Sequence, residues 1–418
     1  MNQLVHKIGY CLFVSILIGI SSLAAASTYQ LDYFVELDPE QEGARVSITI
    51  DNQKGDLVDL SFRHQGDRYS QVRANGRLTE TEENVHWKLP TDEPAKLTYF
   101  VKLTRKKGDA KYDSLVTKDW AVFRGDTLIP PVTTTEKNKA RAVATLEFKL
   151  PKEWTSVETG WPRLPNNRFK IDNPERLFDR PHGWMIAGKL GTRRANIKGT
   201  AISVSAPKGQ SVRRMDVMTF LNFAWREMHD AFQKTPTKLL VVSAGDPMWR
   251  GGLSAPNSLF LHADRPMVSE NGTSPIIHEL VHMVTRISGE VTDTSNDDWI
   301  AEGIAEFYSI ELLYRAKGMT KARRTSIIKG LAQWGDEVTY LRKEASKGPV
   351  TARAVVFFDE LDKEIKRVTK DEKNLDYVVR ILMEKRKVSL DDLTLATREV
   401  TQKNLITFNT PLLHKNGE

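Results

Sequence analysis

Cysteine is almost absent: the 418 residues contain one, Cys11, and it lies in the first apolar run. Thiolate metal ligands, thiol nucleophiles and a disulfide framework are thereby excluded for the rest of the chain. Histidine is scarce too, at 9 residues, so two of them four positions apart carry weight. Long apolar runs are limited to the one from Ile8 to Ile20. Lys7 precedes it and the small residues Leu23-Ala24-Ala25-Ala26-Ser27 follow, which reads as a secretory signal peptide over residues 1–26, cleaved after Ala26. The expected product is exported, periplasmic or extracellular, with no stable membrane insertion after cleavage. Low-complexity tracts and internal repeats are missing. Charge of one sign does not dominate either: 61 Lys and Arg against 54 Asp and Glu leave a net +7, spread along the chain. Short clusters such as Arg105-Lys106-Lys107 and Lys385-Arg386-Lys387 read as solvated faces, and no nucleic-acid partner is expected.

What remains is an ordinary globular composition, 40% hydrophobic and 28% charged, long enough for two or three domains. Residues 27–206 read as a β-rich N-terminal domain. Tyr29 to Val35, Ala44 to Ile50 and Leu97 to Leu103 alternate with the period of half-buried strands, and Asp92-Glu93-Pro94 and Lys107-Gly108-Asp109 punctuate them. From 207 the pattern turns to a helix carrying Met218, Leu221, Phe223, Ala224, Trp225 and Met228, then to a buried strand at Leu239 to Val242 and a glycine-led strand from Gly251 to Leu261. Residues 331–418 read as helical, with Val355, Val356, Phe358, Leu361 and Ile365 as one apolar stripe and Tyr377, Val378, Ile381 and Leu382 as another.

The most informative segment is His278-Glu279-Leu280-Val281-His282. On a helix, positions i and i+4 share a face, so both imidazoles can reach one metal ion. Glu279 beside them suits a general base acting on water, as in H-E-x-x-H metallopeptidases. A third ligand must come from elsewhere. Metzincins continue the pattern to a Gly and a third His, but Thr285 and Ser288 stand at those positions. The alternative is a Glu on a following helix, as in the His2Glu sites of thermolysin-like enzymes, and Glu302 within Trp299-Ile300-Ala301-Glu302-Gly303 has the spacing. The expected ligands are His278, His282 and Glu302, the ion Zn2+, and the catalytic base Glu279. Ser274 and Pro275 suit the start of the first helix and Gly289 a left-handed residue at its end. Asp297 or Asp298 suits the cap of a second helix, from Trp299 towards Lys317 with Gly318 past its end. Asp297, Asp298 and Glu306 are candidates for hydrogen bonds to the imidazoles.

Several segments together resemble the glycyl aminopeptidase family of gluzincins, relatives of the membrane alanyl aminopeptidases. They are the Gly251-Gly252-Leu253 strand, the H-E-x-x-H helix, the W-x-x-E-G-x-A-E-F-Y run from Trp299 to Tyr308, and Lys347-Gly348 before an apolar helix. Asp113-Ser114 with Phe123-Arg124-Gly125, and Phe178-Asp179-Arg180-Pro181 before Gly188, extend the resemblance into the N-terminal domain. It implies an α+β multidomain fold: an N-terminal antiparallel β-domain, a thermolysin-like zinc peptidase domain over 207–330 and a C-terminal helical region. Many members carry a PDZ module afterwards, and none is expected here. The implied activity is peptide-bond hydrolysis on a peptide or protein substrate, including aminopeptidase action. Two positions depart from the family. Ser254 stands where a Glu helps bind the substrate amino terminus, and Ala345 stands where a Tyr stabilises the oxyanion. Either Tyr340 or another donor substitutes, or the enzyme is slow. A zinc-bearing pseudoenzyme or cell-envelope binding protein is therefore the alternative reading.

Overall fold

The computed structural model describes residues 27–52, 55–63, 66–108, 111–173, 176–342 and 344–414. The expected signal peptide, residues 1–26, lies outside them. Three sheets build the N-terminal half. In the largest, Thr28–Asp38 buries every second side chain, Leu31, Tyr33 and Val35 among them, so the alternation in sequence becomes one face of a core. That strand pairs antiparallel with Gly43–Asp51 on one side. On the other it pairs parallel with Arg141–Lys149, which corrects the all-antiparallel expectation. Parallel neighbours need a long crossover, and the strands lying between these two in sequence supply it.

A five-stranded sheet carries the second half. Its order is Leu190–Ile197, Thr200–Pro207, Lys238–Ala244, Ser258–His262 and Gly252–Ala255. The first two strands form a hairpin whose loop residues, Lys198 at φ 50° and Gly199 at φ 82°, give the paired left-handed turn that matches strand twist. The hairpin lies before the expected boundary at 206/207 yet bonds in parallel to Lys238–Ala244. Lys238–Ala244 is buried at every position, as a central strand covered on both faces must be. Among the described residues Gly252–Ala255 is the edge strand and pairs with Ser258–His262 alone.

Helices pack over this sheet in one large core. In Arg214–Phe232 the buried stripe is Met218, Leu221, Ala224, Trp225 and Met228, a helical period. Phe223 falls out of phase with it and is 56% exposed, contrary to its place in the expected stripe. Tyr377 departs from its stripe in the same way, at 40%. A smaller cluster containing Trp184, Ile186, Leu240, Val242 and Phe260 joins the N-terminal half to the second sheet. No helix among the described residues is long and apolar enough to cross a membrane.

Candidate metal centre

The helix Pro275–Thr285 starts where the sequence says it should. Ser274 takes an extended conformation, its hydroxyl accepts the Ile277 N–H at 3.3 Å, and Pro275 occupies the first turn. Ile276, Ile277, Leu280 and Val281 are fully buried, which turns His278, Glu279 and His282 to the half-buried opposite side. The helix ends on Arg286 in a left-handed conformation, not on Gly289. Gly289 has a different task. A Cβ there would lie 2.2 Å from the backbone of Asp297 and Asp298, so glycine lets the chain pass against the start of the next helix.

That next helix, Asp298–Arg315, buries Trp299, Ile300, Ile304, Ala305, Phe307 and Tyr308 and turns Glu302 and Glu306, one turn apart, to the histidines. Gly303 of the W-x-x-E-G run is set by packing. A Cβ would approach the Phe358 ring to 2.7 Å and Ala354 to 2.8 Å on the helix Pro349–Val368. The expected aspartate caps do other work. Asp297 is buried and accepts Arg342 Nε at 2.6 Å, Arg342 Nη2 at 3.0 Å and the Leu390 N–H at 3.0 Å. Asp298 accepts the Ser346 N–H at 3.0 Å. Neither has a hydrogen bond to an imidazole, so of the three candidates only Glu306 takes that place.

The two helices bring His278, His282 and Glu302 together, with one donor atom from each mutually within 4.8 Å. Among the described residues this is the one His, Cys, Asp and Glu cluster arranged to hold a metal ion. His278 Nε2 lies 3.1 Å from His282 Nε2 and 3.4 Å from Glu302 Oε2, and His282 Nε2 lies 3.3 Å from Glu302 Oε1. The other nitrogen of His278 faces Glu306 Oε2 at 3.0 Å, which directs Nε2 to the centre. Burial pushes the His278 imidazole down, but the hydrogen bonds it donates to Glu302 and Glu306 and their charges outweigh it and raise it to about 10. Burial pushes Glu302 up, but its bonds to His278 and His282 hold it at about 2. Two imidazoles and an ionised carboxylate converging from half-buried positions form a donor set that fits tetrahedral zinc with one position left over.

Glu279 projects beside the cluster to the edge strand Gly252–Ala255, where its Oε2 accepts the Ser254 N–H at 2.9 Å. Sequence reasoning treated Ser254 through its side chain and missed this backbone contact. Trp184 Nε1 from the N-terminal half donates to the Leu253 carbonyl at 2.8 Å and steadies the same strand. Ala345 is exposed and Tyr340 half-buried, and Tyr340 lines neither hollow bordering the helix Pro275–Thr285 near His282.

No family model matches the sequence, and no curated protein matches it. Solved structures do. An aminopeptidase N family protein from Idiomarina loihiensis superposes with a TM-score of 0.66 at 14% identity, over 87% of this chain and 72% of that one. An M1 zinc metallopeptidase from Deinococcus radiodurans gives 0.55 at 15% identity, over 93% and 94%. A Legionella pneumophila aminopeptidase A in complex with aspartic acid gives 0.52 at 13% identity, over 94% of this chain and 50% of that one. The architecture of mixed sheets followed by helices is thus similar to the fold of M1 zinc metallopeptidases.

Proposed function

We propose that this chain is an exported zinc-dependent peptidase, with His278, His282 and Glu302 as metal ligands and Glu279 as general base. The observation that carries the reading is the convergence of the three donor atoms from two helices with Glu279 directed to the same cleft. Export rests on Lys7 and the apolar run before Ala26. Structural neighbours of the same fold add support, one of them an M1 zinc metallopeptidase bound to the peptide substrate Tyr-Ser-Ala.

Zinc, when bound, supplies a Lewis acid that lowers the pKa of water and polarises a peptide carbonyl. Glu279, beside His278, would act as the base that takes a proton from an attacking water and gives it to the leaving amine. The Ser254 N–H donates to Glu279 Oε2 at 2.9 Å and holds the carboxylate at the edge strand. The edge strand Gly252–Ala255 has a second side that no other strand among the described residues occupies, which suits pairing with an extended substrate backbone. Glu306 keeps the His278 ring turned.

The test is hydrolysis of a mixed set of free and amino-blocked peptides by the mature protein, with zinc, after chelation, and with Glu279→Gln. Turnover abolished by both the chelator and the substitution is expected. Blocked peptides decide between amino-terminal trimming and internal cutting. Stoichiometric zinc without turnover would instead favour a zinc-bearing envelope binding protein, the reading that exposed Ala345 and the missing edge-strand Glu support.

A further inference from the structure

Among the described residues the Glu279 carboxylate has a single hydrogen bond, Oε2 to the Ser254 N–H at 2.9 Å, which leaves Oε1 to take a proton. The backbone ladder explains why that N–H is on offer. The His262 N–H donates to the Gly251 carbonyl at 2.9 Å, and bonded and unbonded residues alternate along an antiparallel pair. Gly251, Leu253 and Ala255 therefore bond to Ser258–His262, whereas Gly252 and Ser254 turn their N–H and C=O groups to the free edge. A trans peptide points its C=O and N–H opposite ways. The group joining Leu253 to Ser254 thus presents its oxygen to the body of the sheet and its N–H to Glu279.

Trp184 holds the other end of that same peptide group. Its indole Nε1 donates to the Leu253 carbonyl at 2.8 Å. The side chain is well fixed: Trp184 is 1% exposed, its ring lies 5.1 Å from that of Phe260, and the Arg124 guanidinium lies 5.6 Å from it. Gly183 delivers it. At φ 85°, with a Cβ position 2.6 Å from Ser258 Oγ and 2.7 Å from the Pro256 carbonyl oxygen, that residue must be glycine for the strand Trp184–Gly188 to start this close to the hairpin. The Trp184 backbone N–H bonds to Ser258 Oγ at 2.8 Å, on the neighbouring strand. One residue of the N-terminal half therefore makes two bonds of equal length, and only the indole one continues to Glu279. Hydrogen bonds in series through one amide polarise each other, and a low local dielectric strengthens them. An indole drawing on the Leu253 oxygen makes the Ser254 N–H a better donor and fixes the plane in which it points.

We propose that Trp184 is a positioning residue for Glu279, acting through the Leu253–Ser254 peptide group, so that the N-terminal half sets the aim of the base. The inference rests on the peptidase reading, in which Glu279 carries the proton. Trp184 bonds to Leu253 and Ser258 and not to His278, His282 or Glu302. Loss of its indole N–H therefore slows turnover and leaves zinc and substrate binding as they were.

Trp184→Phe keeps an aromatic ring against Phe260 and removes the N–H. Benzothienylalanine at position 184 keeps the bicyclic ring and puts sulfur in place of the N–H, which covers a Phe variant that fails to fold. Ser258→Ala removes the other bond of the same residue and serves as the control. In the zinc-loaded mature protein, either replacement of Trp184 is expected to lower kcat about threefold to tenfold with KM within about twofold, the range of one hydrogen bond felt in the transition state. Ser258→Ala is expected to lower the melting temperature and leave kcat within about twofold of the wild type. Hydrogen exchange at the Ser254 amide gives a second readout that needs no turnover. It should be slow in the wild type and in Ser258→Ala, about tenfold faster in either Trp184 replacement, and faster still in Glu279→Ala. Unchanged kcat or unchanged Ser254 exchange in the Trp184 replacements, or an equal loss of kcat in Ser258→Ala, would overturn the proposal. A wild type that cuts no peptide overturns the peptidase reading and this role with it, whereas an active wild type with insensitive variants overturns this role alone.

Discussion

Glu306→Gln isolates one charge behind one proposed metal ligand, His278. The carboxylate faces His278 Nδ1 at 3.0 Å, with both side chains 19% exposed, so the contact is shielded far better than a surface pair. Among the described residues its other side-chain partner is the Ser309 hydroxyl, which donates at 3.3 Å. Gln keeps the length and an acceptor oxygen and removes the charge. Carboxylate partners of this kind are worth ~10–100-fold in metal affinity, or ~1.4–2.7 kcal/mol. The proton complicates the magnitude in a useful way. Glu306 helps raise His278 to about 10, so it strengthens the competing proton as well as the metal. Removing it weakens both competitors at low pH and mainly the metal at high pH. The zinc deficit should therefore be small near about pH 6 and approach the full range only above about pH 10, where His278 gives up its proton. Competition against a chromophoric chelator at both pH values, on protein whose circular dichroism is unchanged, reads it. Equal affinity of wild type and variant at the higher pH would refute the assigned role.

Three further outcomes follow from the packing and charges. Gly303→Ala would place a Cβ 2.7 Å from the Phe358 ring, so one helix must shift, and calorimetry should show destabilisation of about 1–3 kcal/mol with weakened zinc binding. Asp297→Ala leaves Arg342 buried without its carboxylate; urea unfolding should lose about 3–5 kcal/mol, and an unchanged midpoint would contradict the pair's structural role. In the metal-free chain, His278 is raised from 6.5 to about 10, so its stabilisation is complete below pH 6.5 and lost as pH rises through about 10. Glu302 is lowered from 4.5 to about 2, so its part is complete above pH 4.5 and lost as pH falls through about 2. The cluster stabilises that form most between pH 4.5 and 6.5, and Glu302→Gln should flatten both limbs of a stability–pH curve.

The convergence of His278, His282 and Glu302 was legible because its geometry is local. Two His four apart need only a helix, and Ser274-Pro275 announces one. Glu302 needed one further helix, whose start Trp299 and Gly303 mark by packing. What escaped depends on partners distant in sequence. Asp297 reads as a cap until Arg342 arrives from a loop beyond the next helix. Gly289 reads as a helix terminator until the backbone of Asp297 is seen against it. Glu306 stood among three acidic candidates that spacing alone could not separate. The hairpin Leu190–Ile197 and Thr200–Pro207 looked like the end of the β-domain because a strand's own pattern does not say which sheet it joins.

Trp184 ties these halves in a way that bears on how such a chain could be divided. Its N–H groups reach across to two places, the backbone one to Ser258 Oγ and the indole one to the Leu253 carbonyl, both at 2.8 Å. Its ring lies 5.1 Å from Phe260. The strand beside Glu279 is thus fastened from behind by a residue that precedes the whole H-E-x-x-H region. A gene fragment beginning at residue 207 would keep every proposed ligand and yet lose that fastening, along with the first hairpin of the sheet. Modular exchange of the metal-bearing half between proteins would have to carry Trp184 with it or reinvent it.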